Sequence, residues 1–513
     1  MARKERQTAE FGDFQTPPAL AQEVCSVVSR LGVKPAAIVE PSCGTGTFLA
    51  TALDCFGEAK RGVGIEIDPG YVEAAKATLG GPSGFPGVRI IHDSFFHVDW
   101  GALVRELPAP VLVIGNPPWV TNSALGCLGS RNLPAKRNFQ HRSGIEAITG
   151  KSNFDISEWM LLRLLEALHL REATLAMLCK TAVARRVLAH AWKTGVSLTE
   201  SMIFRIDASR HFGASVDACL LVCRLSPRGG RQECVVYDGL GGAAAERRIG
   251  YRDGRLVANL SSYERWKHLC GKSPVRWRSG IKHDCAKVME LRNEGGRLRN
   301  GLAEPVDLEE DYLYPMLKAS ALSKPGPSKP TRWMIVPQSF VGQDTAPIAQ
   351  RAPKTWEYLA SHKARLDRRA SSIYRNQPPF SIFGVGTYSF SPWKVAISGF
   401  HKQLDFKVVG RFANKPIVLD DTCYFVGCRT KEQANYLARL VSSDAAREFF
   451  EAFTFWDAKR PVTSELLNGL DLGALARASG SETMFLRLLA RGDAGTLDRG
   501  ACEGTHSGSR VSM

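Results

Sequence analysis

The sequence predicts an α/β chain, with a doubly wound, mostly parallel sheet in its first half and an α+β domain after it. Three observations carry that prediction. Short β-branched and apolar runs alternate with amphipathic segments from residue 17 to about residue 230, the rhythm of a parallel sheet wrapped by helices. VLVI, residues 111–114, is short, β-branched and without polar–apolar alternation, which is how a strand buried on both faces reads. Past SPRGGRQ, residues 226–232, the rhythm breaks into charged segments containing Trp and Pro.

In chain order, residues 17–31 read as an amphipathic helix, opened by Pro17 and Pro18 and ended by Gly32. AAIVEP is a strand and TGTFLATAL a helix; RGVGIEIDP is a strand and GYVEAAKATL a helix. VRIIHDS and VLVIGNPP are further strands. ISEWMLLRLLEALHL is a strongly periodic helix and ATLAMLC the next strand. MIFRIDA and ACLLVCRL form a close pair that suits an antiparallel edge. The expected domains are therefore 1–235 and 236–475, with a Gly- and Ser-rich stretch, 476–513, expected to be a disordered tail.

Composition narrows the function. The 513 residues are 44% hydrophobic and 23% charged, as in a soluble globular protein. No apolar run has membrane-spanning length and no signal peptide is evident, so a cytoplasmic location is expected. Thirteen scattered cysteines form no CxxC pair and no zinc spacing, which suggests free thiols and no metal site. A net charge of +16 favours a polyanionic partner, nucleic acid being the commonest.

The strand ends hold the chemistry. IVEPSCGTGTFL is a strand, a Gly-containing turn and a helix, but it is not GxGxxG. Its acid, Glu40, repels a pyrophosphate and suits a ligand with a cationic centre and an amino group. Glu66 ends the next strand, twenty residues after Gly46, where an acid can accept hydrogen bonds from ribose hydroxyls. Asp93 ends the third, placed to take an adenine amino group. A lone acid at a strand end is often a helix cap; three successive acidic tips followed by Asn116-Pro117-Pro118-Trp119 are hard to ascribe to caps.

In this order the motifs resemble those of the S-adenosylmethionine-dependent amino methyltransferases of DNA, of gamma type. DFQTPP resembles their N-terminal motif; EPSCGTG, GIEIDP, IHDS and NPPW follow in the family's order, then GKSNFDISEWMLLRLLEAL. The likeness covers roughly residues 11–225. It implies a Rossmann-like catalytic domain, a C-terminal target-recognition domain, S-adenosyl-L-methionine as cofactor and double-stranded DNA as partner. By position, Thr16 and Pro17 would flank the methionine end of the cofactor, and Glu40, Pro41, Ser42, Gly44 and Gly46 its amino-acid part. Glu66 and Ile67 would hold the ribose, Asp93 and Ser94 the adenine.

The resemblance also explains the prolines. The exocyclic nitrogen of adenine is a poor nucleophile because its lone pair is delocalised into the ring. Two oxygen acceptors, the Asn116 side chain and the Pro117 carbonyl, would localise it and gain strength as positive charge develops. Pro117 and Pro118 stiffen that carbonyl. The base must leave the duplex first, and Trp119 would stack on it, with Phe212 of SRHFGASVDACLLVCRL as a second face or a plain core residue.

Basic residues supply the expected DNA contacts. Arg131, Lys136, Arg137, Arg142 and Lys151 lie between Trp119 and Asn153. In the second half, RWRSGIKHDC carries Arg276, Arg278 and Lys282. Lys363, Arg365, Arg368, Arg369 and Arg375 form a second run; Lys394, His401, Lys402, Lys407 and Arg411 a third. Any one run reads as a solvated face; three together read as a DNA-binding module. LDDTCYF and VDLEEDYLYP supply acids but not the lysine a nuclease motif needs, so a fused restriction activity is not expected. The resemblance implies an adenine-N6 methyltransferase, the modification partner of a separate restriction endonuclease or of another defence system. The alternatives are cytosine N4, an RNA base or protein glutamine as substrate, and a DNA-binding protein with a degenerate methyltransferase fold.

Overall fold

A computed structural model describes residues 15–80, 85–120, 155–242, 245–322, 324 and 330–490. The chain divides into two units after Leu260.

The first unit contains helices α1 (Pro18–Arg30), α2 (Thr47–Cys55), α3 (Pro69–Gly80), α4 (Trp100–Glu106), α5 (Ile156–Leu168), α6 (Thr181–Thr194) and α7 (Ala208–Phe212). Its strands are β1 (Ala37–Glu40), β2 (Arg61–Glu66), β3 (Val88–His92), β4 (Val111–Gly115), β5 (Ala173–Lys180), β6 (Leu198–Ile206), β7 (Ala218–Leu225), β8 (Glu233–Tyr237), β9 (Ala245–Arg252) and β10 (Arg255–Val257). They form one sheet in the order β10-β9-β8-β6-β7-β5-β4-β1-β2-β3. Strands β3, β2, β1, β4 and β5 are parallel, and β7 runs antiparallel between β5 and β6. MIFRIDA and ACLLVCRL thus pair antiparallel as expected, but they are not the edge, because β8, β9 and β10 extend the sheet beyond β6. Every residue of β1 and β4 is buried, in keeping with their unbroken apolar runs.

Chain order reverses between β1 and β4, whose registers run side by side from Ala37↔Val111. A crevice opens outside the carboxyl ends of strands at such a reversal. One core beneath it joins Leu20 and Val24 of α1, Phe48 and Leu49 of α2, and Ile38, Leu112 and Ile114 of the sheet. Helix α6 went unread in the sequence, although its buried Val183, Ala184, Val187, Leu188, Ala191 and Trp192 follow a helical period.

Both expected domain limits move. Position 235 falls inside β8, which pairs parallel with β6 through Met202↔Val235. A hairpin then turns at Asp253 and Gly254, both with positive φ, the turn an Asp-Gly pair favours. The sheet therefore continues to Val257. In the second unit, helices Leu472–Ala478 and Glu482–Ala490 occupy the start of the expected tail. Leu475, Ala476 and Phe485 belong to a buried core there, so apolar packing orders this stretch. Residues 491–513 lie outside the described residues.

The second unit is α+β. It holds a four-stranded sheet centred on Trp393–Ser398 and Cys423–Cys428, and a six-stranded sheet through Glu290–Glu294, Arg332–Ile335 and Leu313–Leu317. Helices Lys431–Val441 and Asp444–Phe453 contribute to the core against the first sheet. No described helix is long and apolar enough to cross a membrane, and each described cysteine is a free thiol.

Candidate active site

The carboxyl ends of β1, β2, β3 and β4 and the start of α5 surround one open cleft of about 1050 Å3, including its mouth. Thr16, Glu40, Pro41, Ser42, Gly44, Glu66, Ile67, Asp93, Asn116 and Pro118 line it. Residues far apart in sequence, from Thr16 to Ile156, thus meet where strand order reverses.

The turn after β1 fixes the floor. The Cys43 N–H donates to the Ile65 carbonyl at 2.9 Å. Gly44 has φ +50°, and a Cβ there would sit 2.7 Å from the Gln15 side-chain oxygen. Gly46 has φ +80°, but its missing Cβ would press on Ala75 and Leu79 of α3 at 3.2 Å. Gly46 therefore serves helix packing and does not line the cleft, against the expectation of close approach to a ligand.

Glu66 clamps the loops around it. Oε2 accepts the Gly44 N–H, and Oε1 the Ile67 and Asp68 N–H groups, all at 2.8 Å. Burial pushes its pKa up, and these amide bonds pull the other way. Glu40 is 3% exposed, and its Oε2, like Ser42 Oγ, has no hydrogen-bond partner among the described residues. Burial holds its pKa well above the usual carboxylate range, and the neighbouring Glu66 charge adds to that. Gly115, at the end of β4, lets the chain pass over Glu40: a Cβ there would lie 3.1 Å from Glu40 Cγ.

Asp93 is more open. Its Oδ1 accepts the Ser94 N–H at 2.7 Å and lies 3.2 Å from His97 Nδ1. Ser94 is buried, and its Oγ accepts the Phe96 N–H at 3.3 Å; it shapes the turn and does not line the cleft. Phe95 and Phe96 line it instead. They are backed by Trp100, 4.6 Å from Phe95, and Trp159, 5.0 Å from Phe96. Sequence reasoning missed this aromatic wall, although HDSFF places both rings directly after the acidic tip.

Pro17 caps α1 and does not line the cleft; Pro117 is buried beside it. Trp119 departs from the open stacking face expected of it. Its ring is 7% exposed within the core, and Nε1 donates to the Leu178 carbonyl at 3.4 Å. It meets Phe212 edge-on, with centroids 5.2 Å apart at 72°. The two expected stacking residues are brought together, packed on each other.

The basic residues separate into two groups. Arg368 and Lys402 are exposed. Arg369 lies 3.6 Å over the Tyr374 ring and donates to the carbonyls of Leu366, Ser381 and His283, so an internal role replaces the expected phosphate contact. Arg278 lies 5.0 Å over Tyr388, and Lys282 Nζ is 3.4 Å from Asp284. Lys394 is 1% exposed; burial lowers its pKa to about 7, and Nζ donates to the Ser391 carbonyl at 2.7 Å. It cannot reach a phosphate from there. Arg131, Lys136, Arg137, Arg142 and Lys151 lie outside the described residues.

Comparison with known proteins adds lineage to this geometry. The type II methyltransferase M.NspV of Nostoc sp. is 44% identical over 482 residues, which span 92% of this chain and 98% of that protein. The type II methyltransferase M.CvrRI of Paramecium bursaria Chlorella virus XZ-6E is 32% identical over 122 residues, 24% of this chain and 27% of its own length. Among solved structures, the type IIL restriction-modification enzyme MmeI in complex with DNA is similar with a TM-score of 0.52 at 12% identity, covering 93% of this chain and 69% of that one. That last likeness is one of fold. No family model matches the sequence.

Proposed function

This chain belongs to the type II methyltransferases, and on that premise we propose that it transfers a methyl group from S-adenosyl-L-methionine to adenine N6 of a base flipped out of duplex DNA, as the modification partner of a restriction endonuclease. One observation carries the reading: Asn116 and Pro118 share a cleft with Glu40, Glu66 and Asp93.

The residues fit the cofactor. Buried Glu40 Oε2 and Ser42 Oγ have no hydrogen-bond partner among the described residues, as a site built for an ammonium group and a nearby cationic centre would leave them. Glu66 keeps acceptor capacity for a diol, and Asp93 for an amino group, beside the flat faces of Phe95 and Phe96. When bound, S-adenosyl-L-methionine supplies an electrophilic methyl group. Glu40 would balance the positive charge of the bound cofactor. The Asn116 side-chain oxygen and the Pro117 carbonyl accept the two N6 hydrogens and direct the nitrogen lone pair at the methyl carbon. As that nitrogen turns tetrahedral, both hydrogen bonds strengthen; the new C–N bond would form as the methyl–sulfur bond breaks, the neutral thioether would leave, and one N6 proton would pass to solvent. Trp119 acts as a wall behind the loop, and it becomes a stacking partner only if its ring leaves the core. Arg368 and Lys402 supply phosphate contacts in the second unit.

Asn116→Ala tests the reading. Methyl transfer to plasmid DNA from labelled cofactor should fall by at least about a hundredfold, the scale of losing one transition-state hydrogen-bond partner. Cofactor affinity, measured by calorimetry, should stay within about twofold, since Asn116 acts on the base. Nucleoside analysis of the product then separates N6-methyladenine from N4-methylcytosine. Full turnover by the variant would remove the mechanism.

A further inference from the structure

The Asn-Pro-Pro loop has a mechanical problem. Pro117 and Pro118 carry no N–H, so no backbone donor of theirs can hang the loop on the sheet. Donors from elsewhere must hold its carbonyls. Strand β5, next to β4, supplies one. Lys180, its last residue, donates from Nζ to the Trp119 carbonyl at 2.9 Å and to Asp155 Oδ2 at 2.7 Å. Leu178, two residues earlier on β5, accepts the Trp119 indole N–H. Both ends of Trp119, main chain and ring, are therefore tied to one strand.

Asp155 is 5% exposed and works in two directions. Its Oδ1 accepts from the Ser157 N–H at 3.1 Å and the Ser157 hydroxyl at 2.5 Å, capping α5. The Ile156 N–H donates to the Val120 carbonyl at 2.9 Å, a second tether one residue past Trp119. Ile156 and Met160 of the same helix line the cleft. Loop, strand and helix end thus form one braced corner.

We infer that Lys180, charge-compensated by Asp155, is a positioning residue for methyl transfer: it fixes the far end of the loop, and so the aim of the Asn116 amide and Pro117 carbonyl. The inference rests on the proposed amino-methyltransferase reading. The pairing with Asp155 answers an electrostatic need. An uncompensated ammonium near the loop would oppose the positive charge that grows on the attacking nitrogen, and in a partly dry site that opposition is large. With Asp155 beside it, Lys180 remains a strong donor while the pair carries no net charge.

The test uses the full chain with plasmid DNA, labelled S-adenosyl-L-methionine and enzyme in excess over DNA sites. Lys180→Met should lower the single-turnover rate by about 10- to 100-fold, the cost of misplacing a reacting group by a fraction of an ångström to one ångström. Cofactor affinity should stay within about twofold, and Lys180→Arg, which keeps charge and donors, should restore part of the rate. Lys180→Met alone strands a buried carboxylate and can fail to fold. The double variant Lys180→Met, Asp155→Asn removes both charges and carries the test in that case. A folded double variant that methylates at the unaltered rate would overturn the inference, as would cofactor affinity falling in step with the rate. Asn116→Ala run alongside separates the two claims: an active Asn116→Ala defeats the functional reading, whereas an inactive one beside a fully active double variant defeats only the role of Lys180.

Discussion

Glu40→Gln tests whether the cleft is built for a cation. In the free protein, burial raises the Glu40 pKa, and the Glu66 charge adds to it. A carboxyl with a raised folded pKa holds its proton more tightly folded than unfolded. Its contribution to stability is present at low pH and is lost as pH rises from the ordinary value of 4.5 through the raised one. Glu40→Gln should therefore raise the melting temperature of the cofactor-free protein at neutral pH, because it removes a buried group that resists ionising. Cofactor binding should respond in the opposite sense. A cationic ligand favours the carboxylate, so binding expels the proton. Affinity should climb with pH above 4.5, by at most about tenfold per unit for one proton released. Glu40→Gln should flatten that climb, leaving whatever Glu66 contributes, and weaken binding at neutral pH by roughly 10- to 100-fold, the range for a hydrogen bond to a charged group. Calorimetry in two buffers of different ionisation enthalpy counts the protons. Zero proton release by the unaltered protein between pH 5 and 8, together with equal affinity in Glu40→Gln, would refute the reasoning.

Two further outcomes concern the second unit. Affinity for duplex DNA should fall steeply with salt, and Arg368→Ala and Lys402→Ala should each reduce the slope of log affinity against log salt by about 1; Arg369→Ala should instead lower the melting temperature, because its donors serve internal carbonyls. Glu290 is held by Lys318, by Arg332 at 3.0 Å and by His283 at 3.4 Å. Burial pushes its pKa up, but hydrogen bonds from His283 and Lys318 outweigh that and set it at about 2. Its stabilisation is thus full above pH 4.5 and lost as pH falls towards 2. Glu290→Ala should cost about 3–5 kcal/mol in urea unfolding at pH 7 and little at pH 2, and an equal loss at both would contradict the ion network.

The acidic strand tips and the Asn-Pro-Pro loop were legible because each depends on local order: an apolar run, then one polar residue at a fixed edge. What sequence could not resolve depends on partners far along the chain. Lys180 and Asp155 lie 25 positions apart, and nothing near either residue announces the other. Lys394 reads as part of a basic run, yet it sits on a central strand of a sheet whose faces are both covered. Gly44 and Gly46 look equivalent in CGTG; only the position of α3 assigns the second to packing. Arg369 reads like Arg368, and the carbonyls of Ser381 and His283 decide between them. The extension of the first unit's sheet to Val257 was readable after all, from the Asp253-Gly254 turn signal between two short segments that pair as a hairpin.

On the proposed amino-methyl transfer, the layout also gives a reason for the loop to present an amide and not a carboxylate. Gly115 passes so close to Glu40 that a single added carbon would lie 3.1 Å from Glu40 Cγ, and the next residue is Asn116. An aspartate there would share a poorly solvated corner with Glu40, whose pKa burial already raises. Like charges at short range force at least one of the two to hold a proton, and a protonated carboxyl donates as well as accepts. The attacking amine needs acceptors only. An amide oxygen and a prolyl carbonyl cannot be protonated at any pH at which the protein folds, so they keep their lone pairs whatever Glu40 does. In the proposed reaction, negative charge for the sulfonium side and neutral acceptors for the nitrogen side would then operate next to each other without one cancelling the other.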